Sequence, residues 1–275
     1  MKKLKRNVIF TVNLSEINPR KTFFCGQCFR WSESENGVFS GIVGGKKISV
    51  IEKDGFAEIS GFSEKQARHY FDLDADYDEY IKRLSADKTL KEACSCSSGI
   101  RILRQEPFET LISFIISQNN NIPRISGIIS RLCESFGEKI EGGFAFPTAE
   151  KLSGICAEDL APLRAGFRAR YIADAVQKVN SGEICFEEID ALPLEKAREK
   201  LKLITGVGDK VADCVLLFAF HKTDAFPKDV WVKRIMAEFY PNGLPDCTKG
   251  IEGIAQQYLF DYVRNHNGLG LLVKE

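Results

Sequence analysis

A chain of 275 residues is long enough for two modest domains or one large one. Its 38 basic and 38 acidic residues cancel, so overall charge advertises no nucleic-acid or membrane partner, and any basic face has to come from a local array such as Arg164–Arg170. No apolar run reaches membrane-spanning length, and the basic start MKKLKRN leads into alternating polar residues, so neither a membrane span nor a signal peptide is read.

In chain order, residues up to about 62 favour strands, at Asn7–Leu14, Gly37–Val43, Lys47–Glu52 and Phe56–Ser60, with Gly44-Gly45 and Asp54-Gly55 as turns. Helical periodicity then takes over. Pro107 opens one helix and Pro123 another, which Gly137 ends. The segment Leu192–Ile204 (LPLEKAREKLKLI) reads as a helix. It runs into LITGVGDKVA, Leu203–Ala212, where Gly206 and Gly208 suit a tight hairpin with positive φ. From Asp209 the pattern is helical again, with Val211, Cys214, Val215 and Phe218 on one stripe. Together these form a helix-hairpin-helix unit at about 192–220. Gly206, Val207 and Gly208 aim free backbone N–H groups outward at a helix N-terminus, an arrangement that binds a DNA phosphate without reading sequence.

Two residues in this region carry chemistry. Lys210 lies in the first turn of the second helix, where the macrodipole opposes an ammonium and favours the nucleophilic free amine. A phosphate-contacting or solvated lysine fits the same position. Asp229, in FPKDVWV, follows Lys210 by nineteen residues and sits where an N-cap carboxylate belongs, before the apolar-periodic stretch Val230–Phe239. Capping alone would account for it. A Lys and an Asp at two helix starts, joined by a helix and a Pro-containing loop, can also face one cleft.

On these residues the chain resembles the helix-hairpin-helix, Gly/Pro-Asp superfamily of DNA glycosylases, and specifically the 8-oxoguanine DNA glycosylases. In that superfamily a lysine after the hairpin marks bifunctional members and an aspartate after the Gly/Pro-rich loop is near-universal; here they are Lys210 and Asp229. Three further segments specify the base. Cys25–Trp31, CGQCFRW, is similar to the family's GQ-x-FRW segment, which implies that Gly26 offers its carbonyl to the N7–H that 8-oxoguanine has and guanine lacks. Gly253–Phe260, GIAQQYLF, puts Gln256 and Phe260 on one helix face, and the resemblance gives Gln256 the Watson–Crick edge and Phe260 the ring face. Cys214, one turn after Lys210, takes the other side of the base. Read singly, these are a turn glycine, a core aromatic and a packing cysteine.

The opposite strand has its own signature. Ser117–Arg124 reads SQNNNIPR and Gly166–Tyr171 reads GFRARY. The resemblance implies that Asn119, Arg124 and Arg168 contact the cytosine left unpaired, reading its acceptor edges, and that Phe167 fills the gap in the stack. A polar loop and a solvated basic patch are the plainer readings of either segment alone. The chain departs from animal members at four places: Phe167 replaces a Tyr, Trp231 a His, Val263 an Asp, and Lys228 an apolar residue. Trp231 and Val263 replace both partners of a polar pair, and Lys228 adds a candidate phosphate contact.

The resemblance covers nearly the whole chain. It implies an α+β fold: an N-terminal antiparallel β-sheet domain with flanking helices over 1–100, packed on a mostly helical glycosylase body over 101–275. It also implies a bifunctional glycosylase/lyase of base excision repair. Duplex DNA carrying 8-oxoguanine, preferably opposite cytosine, is its partner, flipped and cut through a Lys210 Schiff base with Asp229 assisting. No metal or organic cofactor is expected, nor any membrane, and the protein is expected to be a monomer. Its place would be a prokaryotic nucleoid or a eukaryotic nucleus. The nine cysteines are odd in number with only Cys25/Cys28 and Cys94/Cys96 close together, which fits reduced thiols better than disulfides or zinc. Only Cys247 follows Cys214, so the four-cysteine iron–sulfur run of endonuclease III-like relatives is missing. Excision of another oxidised or alkylated base, or a catalytically silent damage-binding module, are the alternatives; a pure binder would need neither Lys210 nor Asp229.

Overall fold

The computed structural model describes residues 10–265, so the expected strand residues before Phe10 lie outside it. Five strands, β1 (Phe10–Asn13), β2 (Trp31–Glu33), β3 (Val38–Val43), β4 (Lys46–Lys53) and β5 (Phe56–Ser60), form one antiparallel sheet in the order β1-β5-β4-β3-β2. Alternation decides which face is inside: Ile48 and Val50 of β4 and Ala57 and Ile59 of β5 are buried, while Lys47, Ile51 and Phe56 face out. The β4–β5 turn holds Asp54 at φ 50° and Gly55 at φ 83°, the paired positive dihedrals of a two-residue hairpin. Three of the expected strands agree with the observed ones to within a residue. The short β2 was not expected, because its three residues are too few to show a period.

Trp31 fixes β2 in register. It pairs across from Gly41 and stacks on Phe23 of α1 (Pro19–Phe24), with ring centroids 3.8 Å apart. A Cβ on Gly41 would lie 2.6 Å from the indole ring, so glycine is needed there to let the ring lie flat. Phe39, Phe71 and Leu103 complete this first apolar core.

Eleven further α-helices follow among the described residues. After the sheet come α2 (Glu64–Tyr70), α3 (Tyr77–Leu84) and α4 (Lys88–Cys96), then α5 (Pro107–Ser117) and α6 (Ile122–Phe136). The rest are α7 (Arg168–Asn180), α8 (Phe186–Ala191), α9 (Leu194–Leu201), α10 (Asp209–Phe218), α11 (Val230–Phe239) and α12 (Glu252–Asn265). A second, larger core belongs to them and includes Tyr77, Leu84 and Leu90 of α3 and α4. Central to it is α5, whose residues 110–116 are all buried and which packs on α6, α7 and α10. Pro107 and Pro123 lie in the first turns of α5 and α6, and Gly137 ends α6, as the sequence indicates.

Asp72 ties the two cores together. Its carboxylate accepts from Arg104 at 2.8 and 3.0 Å and from the Tyr77 hydroxyl at 3.1 Å, and lies 3.1 Å from His221 Nε2. Burial pushes this carboxyl up, but the bonds and charges of His221 and Arg104 outweigh it and hold the group below its ordinary range.

Two local expectations need correction. The helix before the hairpin starts at Leu194, not Leu192: Pro193 is its extended N-cap, and helical geometry is disfavoured for the residue before a proline. It ends at Leu201, with Lys202 closing it and turns carrying the chain on to Ile204. Gly208 does not have positive φ. At φ −105° and ψ −175° it is extended, and only Gly206, at φ 81°, needs the left-handed region.

Candidate functional site

The helix-hairpin-helix is braced from within. Arg198 of α9 bonds Asp213 of α10 at 2.6 Å, and Lys202 pairs with Asp209 at 2.9 Å across the hairpin. The Val207 amide donates to the Ile204 carbonyl at 3.0 Å, and Asp174 of α7 accepts the Thr205 amide at 2.7 Å. Gly208 caps α10 without a side chain, so no side chain bonds the amides of the first turn.

Lys210 is the second residue of α10 and half-buried. Its Nζ lies 5.2 Å from the Phe114 ring centroid and 3.4 Å from Ser117 Oγ, both on α5. Phe114 is held in turn, stacked on Phe218 at 5.4 Å and met edge-on by Phe29 at 5.6 Å. Asp229 caps α11 as expected: a carboxylate oxygen accepts from the Val232 amide at 2.7 Å.

A cavity opens between these helices. Gly26, Lys210, Cys214, Asp229, Gln256 and Phe260 all line it, so residues from three distant stretches of sequence meet in one place. Cys25, Phe114, Phe218, Pro227 and Gln257 also line it, none of which the sequence marks as a site residue. Burial pushes the Cys214 thiol up to about 11 against the opposing pull of Lys210, so it is a neutral thiol near pH 7. The Gln256 side chain is buried, 6% exposed, yet its Oε1 has no hydrogen-bond partner among the described residues.

Gly26 sits at φ 85° just beyond α1, and a Cβ there would touch Phe260 Cε1 at 3.9 Å. Conformation, not space, is what calls for glycine. The turn is positioned by its neighbour Gln27, which is fully buried and which the sequence reading passed over. Its amide donates to the carbonyls of Thr22 and Arg101 at 2.8 Å each and accepts from the Leu103 amide at 2.9 Å. The GQ pair therefore divides the work: the glutamine docks the loop on the segment leading to α5, and the glycine faces the cavity.

The three asparagines also divide their roles. Asn120 closes α5 by donating to the Ile116 carbonyl at 3.1 Å, and Asn121 caps α6. Asn119, at φ 47°, is exposed, as is Arg124. Arg168 is buried. Its guanidinium donates to the carbonyl of Gln118, and to those of Asn119 at 2.9 Å and Ala165 at 3.2 Å. It thus holds the Asn119 loop, a backbone role not visible in the sequence. Burial, and then the charge of Arg124, lower its pKa, which puts the two arginines within electrostatic reach. Phe167 is 46% exposed, with the Arg168 guanidinium 4.4 Å from its ring centroid. Of the departures, Val263 is buried, Trp231 lies 5.4 Å below the Arg234 guanidinium, and Lys228 is exposed beside Phe226.

A sheet domain on a helical body, with a hairpin-borne lysine and a helix-capping aspartate in one cavity, defines the helix-hairpin-helix class of base-excision glycosylases. The model of the HhH-GPD superfamily of base excision DNA repair proteins matches residues 112–252, and that of the 8-oxoguanine DNA glycosylase N-terminal domain matches residues 9–111. The chain belongs to the 8-oxoguanine DNA glycosylase family. It is 34% identical to the N-glycosylase/DNA lyase of Saccharomyces cerevisiae, over 83% of this chain and 70% of that protein. It is 33% identical to a probable N-glycosylase/DNA lyase of Methanothermobacter thermautotrophicus, over 73% and 72%. The Clostridium acetobutylicum 8-oxoguanine glycosylase/lyase, in complex with double-stranded DNA containing cytosine opposite 8-oxoguanine, superimposes with a TM-score of 0.85 at 40% identity, over 92% of this chain and 93% of that one.

Proposed function

We propose that this protein is a bifunctional glycosylase and lyase that extrudes 8-oxoguanine from duplex DNA, preferably opposite cytosine, and cuts the strand through a Schiff base on Lys210. The observation that carries this reading is the meeting of Gly26, Lys210, Cys214, Asp229, Gln256 and Phe260 in one cavity. Phe260 and Cys214 wall the base, the Gly26 carbonyl accepts N7–H, and the unpaired amide of Gln256 bonds the Watson–Crick edge. Asp229, held by the Val232 amide, stabilises positive charge on the sugar as the glycosidic bond breaks and its electron pair leaves with the base. The Lys210 amine attacks C1′. The resulting Schiff base acidifies C2′–H, and loss of that proton expels the 3′-phosphate and nicks the strand 3′ to the lesion. No step calls on a metal or organic cofactor.

The uncapped amides of the α10 first turn and the Gly206–Gly208 hairpin hold the backbone. Phe167 fills the space left by the base, and Asn119 and Arg124 read the unpaired cytosine, on a loop that Arg168 keeps in shape. The protein acts as a monomer, from the two-domain unit 1–100 and 101–275, wherever its DNA lies. No helix among the described residues is long and apolar enough to cross a membrane.

The test is incubation under borohydride with duplexes carrying 8-oxoguanine opposite C, A, G or T. A trapped adduct that is strongest opposite C and absent in Lys210→Gln is expected. Equal adducts across all four bases would remove the cytosine reading, and tight binding without an adduct would point to another lesion or a silent binder.

A further inference from the structure

Gln256 has a neighbour with the same anomaly. Gln257 lines the same cavity and is 3% exposed, and its Oε1, like that of Gln256, has no hydrogen-bond partner among the described residues. Both unpaired atoms are acceptors. A buried acceptor left unpaired is destabilising, and two adjoining ones on one cavity call for a ligand edge that carries donors side by side. Phe260 fixes how such an edge lies. It follows Gln256 by four residues and Gln257 by three, so on α12 it is the surface neighbour of both, one turn on and between them. A base stacked on its ring turns a single edge toward both amides.

Purine edges differ in their donors. The Watson–Crick edge of guanine, kept in 8-oxoguanine, carries the O6 acceptor, then N1–H, then the exocyclic N2 amine: two donor groups in a row. The adenine edge carries its N6 amine beside a bare N1, and no amine at C2. We propose that Gln257 is a second specificity residue, whose Oε1 accepts a hydrogen bond from the N2 amine of the extruded base while the Gln256 Oε1 accepts N1–H. This rests on the base-excision reading above and deepens it. With the Gly26 carbonyl on N7–H, each donor group of the base then meets its own acceptor in the cavity. The ligand class is an oxidised purine with a 2-amino group. Guanine-derived lesions fit it, opened-ring formamidopyrimidines included, whereas 8-oxoadenine and 3-methyladenine leave the Gln257 oxygen buried and unpaired.

The probe is 8-oxohypoxanthine, which is 8-oxoguanine without the 2-amino group. Single-turnover excision of each base opposite cytosine, cleavage of a preformed abasic site, and thermal unfolding are measured for the wild type, Gln257→Met and Gln257→Glu. The two lesions pair differently with cytosine, but that difference belongs to the DNA and is common to all three proteins. The change in the ratio of 8-oxoguanine to 8-oxohypoxanthine excision therefore isolates the contact. The ratio is expected to fall about 10-fold in Gln257→Met, which has no acceptor for the amine. That variant is expected to melt no lower than wild type, since it removes an unpaired polar group. Gln257→Glu keeps an acceptor oxygen and lacks the amide donor, so it is expected to hold the ratio near the wild-type value, and it tests the contact even where methionine disturbs packing. A wild-type ratio in Gln257→Met, or an equal fall in both variants, would overturn the assignment. Wild-type protein that cuts abasic DNA but leaves 8-oxoguanine in place would overturn the lesion reading itself, and this proposal with it.

Discussion

Gly206 lies flat against the ring of Tyr171: a Cβ on it would stand 2.4 Å from Tyr171 Cδ2. Tyr171 is on α7, the helix that begins with Arg168, and its ring meets Phe167 edge-on at 5.7 Å. The hairpin proposed to face phosphate and the segment proposed to face the opposite strand are therefore packed as one body. Gly206→Ala has both the ring and a φ of 81° against it, and should lose about 1–3 kcal/mol of stability with a weaker grip on DNA. Gly208 is the control. It is extended, and a Cβ there meets nothing within 4 Å. Gly208→Ser should melt at or above the wild-type temperature, because serine caps the helix, yet bind duplex DNA more weakly, because its hydroxyl occupies an amide meant for phosphate. Melting curves and duplex titrations check both; unchanged affinity in Gly208→Ser would remove the hairpin from the DNA interface.

Lys210→Gln should bind 8-oxoguanine duplex and form no borohydride adduct. Strand cleavage should fall by at least about 10³-fold, since without the amine no Schiff base forms and β-elimination loses its electron sink. Phe114 should feel the change too, because the cation it faces at 5.2 Å is gone, but that contact contributes only about 0.5–2 kcal/mol. A cleavage product of unchanged yield would transfer the nucleophile to another group.

Asp229 caps α11, and substitution can separate that cap from the catalytic role proposed for it. Asparagine caps a helix as well as aspartate does, so Asp229→Asn should keep the bond to the Val232 amide and the stability of α11 while slowing excision about 10²–10³-fold. Asp229→Ala should show the same kinetic loss plus about 1 kcal/mol of destabilisation from the missing cap. Rates and urea midpoints for the pair decide it, and equal excision by Asp229→Asn and wild type would leave Asp229 a cap and nothing more.

What the sequence carried and what it hid follow from range. Sheet strands, proline helix starts and the cap at Asp229 are local, and alternation or spacing displays them within a few residues. The lysine, aspartate and cavity glutamine were legible because their motifs are short and chemically unusual. Gln27 was not, because its partners, the Arg101 carbonyl and Leu103 amide, are some seventy-five residues away and backbone groups leave no mark in a sequence. Arg168 was legible as a charge but not as a clamp, for the same reason. Gln257 was hidden beside Gln256: a pattern that gives one face to Gln256 and Phe260 says nothing of the flank.

Glu109 gives the fold a pH dependence of opposite sign to that of most carboxylates. It stands in the first turn of α5 with Arg30 of the sheet domain 3.2 Å away, and Arg30 also donates to the Phe144 carbonyl at 2.6 Å. Burial pushes the Glu109 carboxyl up to about 7, and the attraction of Arg30 offsets this only in part. In the unfolded chain a glutamate titrates near about 4.3, so the folded state binds this proton more tightly than the unfolded one. Its contribution to stability is whole below the unfolded value and is lost as pH rises through about 7. Glu109→Gln abolishes the titration, so the variant should gain on the wild type between pH 5 and pH 8 by on the order of 1–3 kcal/mol, less whatever Arg30 loses with its partner. Urea unfolding of both proteins at several pH values reads the difference directly. Parallel stability curves would mean that Arg30 keeps Glu109 ionised throughout, and that the junction between sheet and helical body is an ordinary ion pair.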